Sequence, residues 1–179
     1  WRNQFPEIGD ISISVNTSPK QFRSPGLLEM VLGTLRHHHL PADLLHLDIQ
    51  EDLLLGDHQE VVQTLAQFRE AGVHIALDDF GSGISSLGQL TQIPIDYLKI
   101  DQQFIATLSK DKESEHVVRA VLSLGRILDL QVIAEGMETR EQMERLRELK
   151  CDFVQGFLVS KPLPPEDTEE YIRQSRKTT

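Results

Sequence analysis

The segment Asp78-Asp79-Phe80-Gly81-Ser82-Gly83 sets two adjacent carboxylates ahead of two glycines. Carboxylate oxygens are hard donors that suit a hard divalent metal ion. Adjacent side chains at a strand end point to different sides, so one aspartate can bridge two metals while the other holds one metal or a water. Gly81 and Gly83 allow a sharp turn and close approach to a ligand. The plain alternative is a solvated acidic turn after an ordinary strand.

Other residues of this kind recur along the chain. Glu135-Gly136-Met137-Glu138 follows an apolar run and offers a further carboxylate. Glu138 also reads as a helix-start charge, favourable at the positive end of the dipole. Asn16 and Gln155 are amides near opposite ends of the chain, able to supply a neutral metal ligand or to orient a water, or simply to bond within loops. Lys99 lies inside the run Tyr97-Leu98-Lys99-Ile100-Asp101. Facing a site, it must pair with carboxylates or phosphate, because unpaired burial is costly. It then stabilises phosphoryl charge, or serves as a Schiff-base amine; the surrounding acids favour the charge role. His37, His38 and His39 point in different directions and read as a solvated helix end. Cys151, the single cysteine, reads as a packed thiol and fits a reducing compartment.

These residues need elements to hold them. Strand patterns are expected at 11–15, 44–49, 73–77, 97–100, 131–134 and 152–155, with helical patterns between them. Ser24 reads as an N-cap with Pro25 at the first helical position. Thr139 with Gln142 reads as a capping box, and a polar helix is expected around 169–173. Alternating strands and helices predict a parallel sheet in one domain over 1–179. Each strand closes on a polar residue: Asn16, then Glu51 just beyond its strand, Asp78 with Asp79, Lys99 with Asp101, Glu135 and Gln155. A (β/α)8 barrel builds its active site from many strand ends. An open doubly wound sheet draws on fewer, and no GxGxxG fingerprint follows a strand here. Six units are two short of a full barrel, so the first part of the barrel is expected upstream.

The formal net charge of −10 argues against a polymeric nucleic acid partner, which requires a basic face. It also means that a phosphate ligand would need bound cations beside these carboxylates. No apolar stretch is long enough to cross a membrane, so no membrane contact by this domain is expected.

Together these motifs resemble the EAL phosphodiesterase family. The resemblance rests on Val15-Asn16-Thr17-Ser18-Pro19, Leu47-Asp48-Ile49-Gln50-Glu51, the segment 78–87, Leu98-Lys99-Ile100-Asp101, Ala134-Glu135-Gly136-Met137-Glu138, Gln155-Gly156-Phe157 and Ser160-Lys161-Pro162-Leu163. It implies a modified TIM barrel that hydrolyses cyclic di-GMP to the linear dinucleotide pGpG with two Mg²⁺ or Mn²⁺ ions. It also implies a cytoplasmic bacterial signalling domain. Asn16, Glu51, Asp78 and Asp79 are then metal ligands. Lys99, Glu135 and Gln155 serve the water and phosphate, Glu138 holds the double-aspartate loop, and Asp101 and Ser82 contact substrate. The resemblance allows a homodimer and upstream sensory or GGDEF domains. The chain departs from the family pattern in four places. It begins past the EAL motif, Gln50 replaces a threonine, Ser82 and Ile84 replace a threonine and a tyrosine, and Gln102 replaces an arginine. These departures motivate the second reading, an inactive domain that senses cyclic di-GMP or binds a protein.

Overall fold

A computed structural model describes residues 1, 4–5, 11–54, 58–81 and 87–175. Among them run six parallel strands: β1 (Ile13–Thr17), β2 (Leu45–Gln50), β3 (His74–Phe80), β4 (Tyr97–Ile100), β5 (Gln131–Ala134) and β6 (Phe153–Val154). Their order across the sheet is their order in the chain. The sheet curls into a half-barrel with helices, so the expected α/β barrel architecture is what forms. The helices are α1 (Pro19–Phe22), α2 (Leu27–His37), α3 (His58–Glu70), α4 (Leu87–Leu90), α5 (Gln102–Thr107), α6 (Lys112–Leu128), α7 (Arg140–Glu148) and α8 (Pro165–Ser175). No helix among the described residues is long and apolar enough to cross a membrane.

The strand sequences alternate, and the alternation sorts the two faces. Leu47 and Ile49, Ile75 and Leu77, Leu98 and Ile100, and Val132 and Ala134 are all buried. They form one core with Val61, Leu65 and Phe68 of α3, Val118 and Leu122 of α6, and Leu146 of α7. The intervening residues line the other face. Cross-strand register puts Asn16 beside Asp48, His46 beside His74, and Gln50 beside Asp78. Parallel neighbours at paired positions project to the same side, so this face carries the polar groups.

Several boundaries differ from the sequence expectation. β1 lies two residues later than expected, at Ile13–Thr17, which places Asn16 inside the strand. Ser24 is not a helix cap. The capping box belongs to Ser18 and Gln21, which open the one-turn helix α1, and α2 starts after Gly26 in a left-handed conformation without a side-chain cap. The run Ser24-Pro25-Gly26 therefore forms a link between two helices. The helix α5 was not anticipated, and Asp101 caps it by accepting from the Gln103 amide at 2.8 Å. The expected capping box of Thr139 and Gln142 is present at α7. Cys151 is half-buried, and burial pushes its thiol up to about 11, in keeping with a packed thiol.

Below the strand ends, the polar face carries a ring cluster. His46 lies 4.9 Å from both His74 and Tyr97, centroid to centroid. These rings line an open cavity of about 440 Å³ that extends to Phe153 and Gln155. Burial, and then the neighbouring His74, hold the His46 imidazole below its ordinary pKa, while Asp48 and Asp96 pull the other way. The unfolded chain therefore takes up a proton at His46 before the folded chain does. The stability this ring contributes is complete above the ordinary histidine pKa and is lost as pH falls through the depressed value. Urea denaturation between about pH 7.5 and about pH 5.5 should show stability falling on acidification. His46→Phe, which keeps an aromatic ring and cannot titrate, should make that fall shallower.

Candidate functional site

Lys99 sits at the centre of the strand-end cluster. It is on the third residue of β4, its side chain is 5 % exposed, and its ammonium meets three carboxylates. Nζ lies 2.7 Å from Asp48 Oδ2 on β2, 3.1 Å from Asp78 Oδ1 on β3 and 2.6 Å from Glu135 Oε1 just past β5. Burial by itself would lower the lysine pKa. Hydrogen bonds to Asp48 and Glu135, with the charges of both, outweigh it and hold the ammonium above the ordinary lysine range. A permanently charged amine is a poor Schiff-base nucleophile, so the geometry favours the charge role. Glu135 moves upward too, because burial outweighs the pull of Lys99 and the charges of Asp78 and Asp48 add to it. One cation facing three carboxylates leaves the cluster negative overall.

The two aspartates of β3 both reach this cluster. Between β3 and β4 the register slips. Leu77 pairs with Leu98 and Phe80 with Ile100, so Asp78 and Asp79 together oppose Lys99. This is a bulge, which re-aims side chains at the cost of one ladder position. Asp79 completes it with a left-handed φ of 55°. Its amide donates to Asp78 Oδ1 at 3.1 Å. As a result Asp78, Asp79 and Glu135 each offer an oxygen, all within 4.8 Å of one another. Burial, then repulsion from Asp78 and Asp101, raise the Asp79 pKa. Left-handed backbone at a residue other than glycine stores strain. Asp79→Gly should therefore raise thermal or urea stability by up to about 1 kcal/mol, while removing one oxygen from the cluster.

Asp48 is the site residue that sequence reasoning passed over. It is 4 % exposed, and its second oxygen, Oδ1, is buried without a hydrogen-bond partner among the described residues. A buried carboxylate oxygen with no partner is costly, and a cation is the natural partner for it. The signal was in the sequence. Leu45-His46-Leu47-Asp48-Ile49-Gln50 alternates strictly, which puts Asp48 on the polar face with Lys99 two strands away.

The remaining candidates are placed as follows. Asn16 pairs in register with Asp48 and is exposed on the same face. Glu51 begins a 3-10 turn beyond β2 and is half-buried, outside the Lys99 contacts. Gln155 and Glu138 share with Glu135, Gly136, Phe157 and Gln102 a cavity of about 210 Å³ beside the cluster. Asp101 spends its oxygens on the Gln103 backbone amide and side chain, at 2.8 and 3.1 Å. Ser82, Gly83 and Ile84 lie outside the described residues. The three histidines stand at the end of α2, with His37 its last residue.

A parallel half-barrel that gathers hard oxygen donors around one lysine at its strand ends defines an α/β barrel protein with an acidic, cation-accepting mouth. The EAL domain model matches residues 1–162, and the chain belongs to that family. It is 39% identical over 163 residues to the signaling protein YkoW of Bacillus subtilis, covering 91% of this chain and 20% of YkoW. It is 41% identical over 157 residues to the bifunctional diguanylate cyclase/cyclic di-GMP phosphodiesterase MucR of Pseudomonas aeruginosa, covering 88% of this chain and 23% of MucR. The structure of the PaMucR phosphodiesterase in complex with c-di-GMP superposes with a TM-score of 0.87 at 39% identity, over 92% of this chain and 67% of that one. A manganese/cy-diGMP complex of Klebsiella pneumoniae BlrP1 gives 0.81 at 27% identity, over 90% and 41%. The chain thus spans about a fifth of the length of the curated relatives it matches.

Proposed function

We propose that this chain forms the greater part of a metal-dependent phosphodiesterase site that hydrolyses cyclic di-GMP to pGpG. The observation that carries the reading is the convergence of Asp78, Asp79 and Glu135 oxygens within 4.8 Å, beside a buried Asp48 oxygen that lacks a hydrogen-bond partner among the described residues. Hard, closely spaced oxygen donors fit Mg²⁺ or Mn²⁺. Asp48, Asp78, Asp79 and Glu135 would hold two such ions with Asn16 from β1. Glu51 and Glu138 flank the site, and Asp101 would contact substrate. When bound, the metals supply an activated water and charge stabilisation at the phosphate.

The chain's own residues do the rest. Lys99 keeps the carboxylates of three strands together and sets a fixed positive charge where phosphoryl charge grows. Gln155, on the shared cavity with Glu135, orients the attacking water by hydrogen bonding. The MucR and BlrP1 complexes, which hold cyclic di-GMP on the same fold, support the choice of substrate.

The test is calorimetric titration with Mn²⁺, followed by cyclic di-GMP turnover in the full-length protein with Mg²⁺ and with Mn²⁺. Binding lost in Asp48→Asn and in Asp78→Asn, with turnover to pGpG in the unsubstituted protein, is the expected result. Tight nucleotide binding without turnover in either metal would instead assign the domain to sensing.

A further inference from the structure

Lys99 lies on β4 and Glu135 just past the end of β5, and their side chains meet at 2.6 Å. β5 ends at Ala134, so Glu135 belongs to the turn that leads to α7, and something must fix that turn. Part of the answer is close packing. Gly136 has a φ of +73°, and a Cβ there would meet the Gln102 Cβ at 2.6 Å. Met137 is fully buried, and its amide donates to the Gln155 carbonyl at 3.1 Å. The rest is one side chain, Gln142, which is 6 % exposed.

Gln142 makes more bonds than a capping box requires. Its Oε1 accepts from the Thr139 amide at 2.9 Å, the ordinary box contact, and also from the Glu138 amide at 2.8 Å. Its Nε2 donates to the carbonyl of Ile105 at 3.0 Å, across a sequence gap of 37. Ile105 is a fully buried residue of α5, the helix that leaves β4 immediately after Lys99 and Asp101. One amide therefore joins the helix that follows the lysine strand to the turn that carries the glutamate. An ionised glutamate at 142 would cap the helix equally well but would have no hydrogen to give Ile105. Buried amides with both ends bonded lock neighbouring groups in place.

We propose that Gln142 is a positioning residue for the strand-end cluster. By tying the turn 135–139 to α5, it sets the separation of Glu135 from Lys99 and so the spacing of the oxygens offered to a cation. The metal arm of this proposal rests on the reading of the site given above; the geometric arm does not.

Three variants of the full-length protein separate positioning from stability. Gln142→Leu removes every side-chain bond at near-constant volume. Gln142→Glu keeps the acceptor for both turn amides and loses the tie to Ile105. Leu146→Ala empties a fully buried position on the same helix without touching the turn. Mn²⁺ affinity is measured by calorimetry on folded protein, and the Lys99–Glu135 separation by crystallography. Both Gln142 variants should bind Mn²⁺ about tenfold more weakly, as is usual when a residue that orients a ligand is lost. Leu146→Ala should bind as the unsubstituted protein does, whatever its melting temperature. Unchanged affinity in Gln142→Glu would overturn the proposal, since capping alone would then suffice. If the unsubstituted protein binds no Mn²⁺, the metal reading falls and the crystal structures decide. A Lys99–Glu135 contact opened in Gln142→Leu but kept in Leu146→Ala supports positioning, and a contact kept in both refutes it.

Discussion

Replacing Lys99 by methionine should destabilise the fold by about 3–5 kcal/mol, the range expected when one member of a buried ion pair is removed. The carboxylates of Asp48, Asp78 and Glu135 would face one another around an apolar side chain of similar length, without the ammonium that now reaches all three. The pH dependence identifies the cause. Glu135 already sits above the ordinary glutamate range, and Lys99 is what restrains it. Without Lys99 its pKa rises further, so the folded variant takes up protons more readily than the unfolded chain. The penalty should be largest at neutral pH and shrink as pH falls into the raised carboxylate range. Urea denaturation at several pH values measures both the loss and its slope. A loss independent of pH would indicate that repulsion among the carboxylates is not its cause.

Gly156→Ala should be comparably severe for a different reason. A Cβ at Gly156 would lie 2.1 Å from the Met137 carbonyl oxygen and 2.3 Å from its nitrogen. Both are backbone atoms of the turn after β5, so no side chain can swing aside. Either the end of β6 or the turn must move, and the turn bears Glu135. A loss of about 3 kcal/mol, at the upper end for overpacking, should come with weakened metal binding. Gly33→Ala is the contrasting case. Gly33 lies within α2, where an added Cβ meets only the end of the Arg36 side chain, at 3.9 Å. That substitution should gain about 1 kcal/mol from helix propensity. Thermal denaturation of the two variants side by side checks both signs.

Which features could be read in the sequence follows from their physics. β4 and β5 have the expected boundaries, because short apolar runs bounded by polar residues leave little choice. The capping box at Thr139 needs only two residue types at a fixed spacing, and it is present. Ser24 has the right type for a cap, but Ser18 with Gln21 satisfies the same rule first, and Gly26 then breaks the chain direction. At six residues, α5 is too short to show a helical period. In the site, Lys99, Asp78 and Glu135 come together as strand-end reasoning implies. Asp48 lies inside β2 and not at its end, so only the alternation within the strand marks it. The convergence of Asp79 with Asp78 depends on a register slip between strands, and the tie from Gln142 to Ile105 spans 37 residues. Neither is written in local residue types.

The sequential strand order has a consequence for how the molecule is assembled. Each strand pairs with the one synthesised just before it, so this part of the sheet can grow unit by unit. Growth of the acidic mouth is uneven. When β3 docks on β2, Asp48 and Asp78 come together before Lys99 exists to neutralise them. A nascent sheet that ends at β3 therefore carries mutual repulsion at the end where the site will form, and water must stay there to screen it. Arrival of β4 brings the ammonium that holds Asp48 and Asp78 together. Docking of β4 is thus the step that balances the charge of the mouth, and a ribosome-held chain from which β3 but not β4 has emerged should be loose and protease-sensitive at that end.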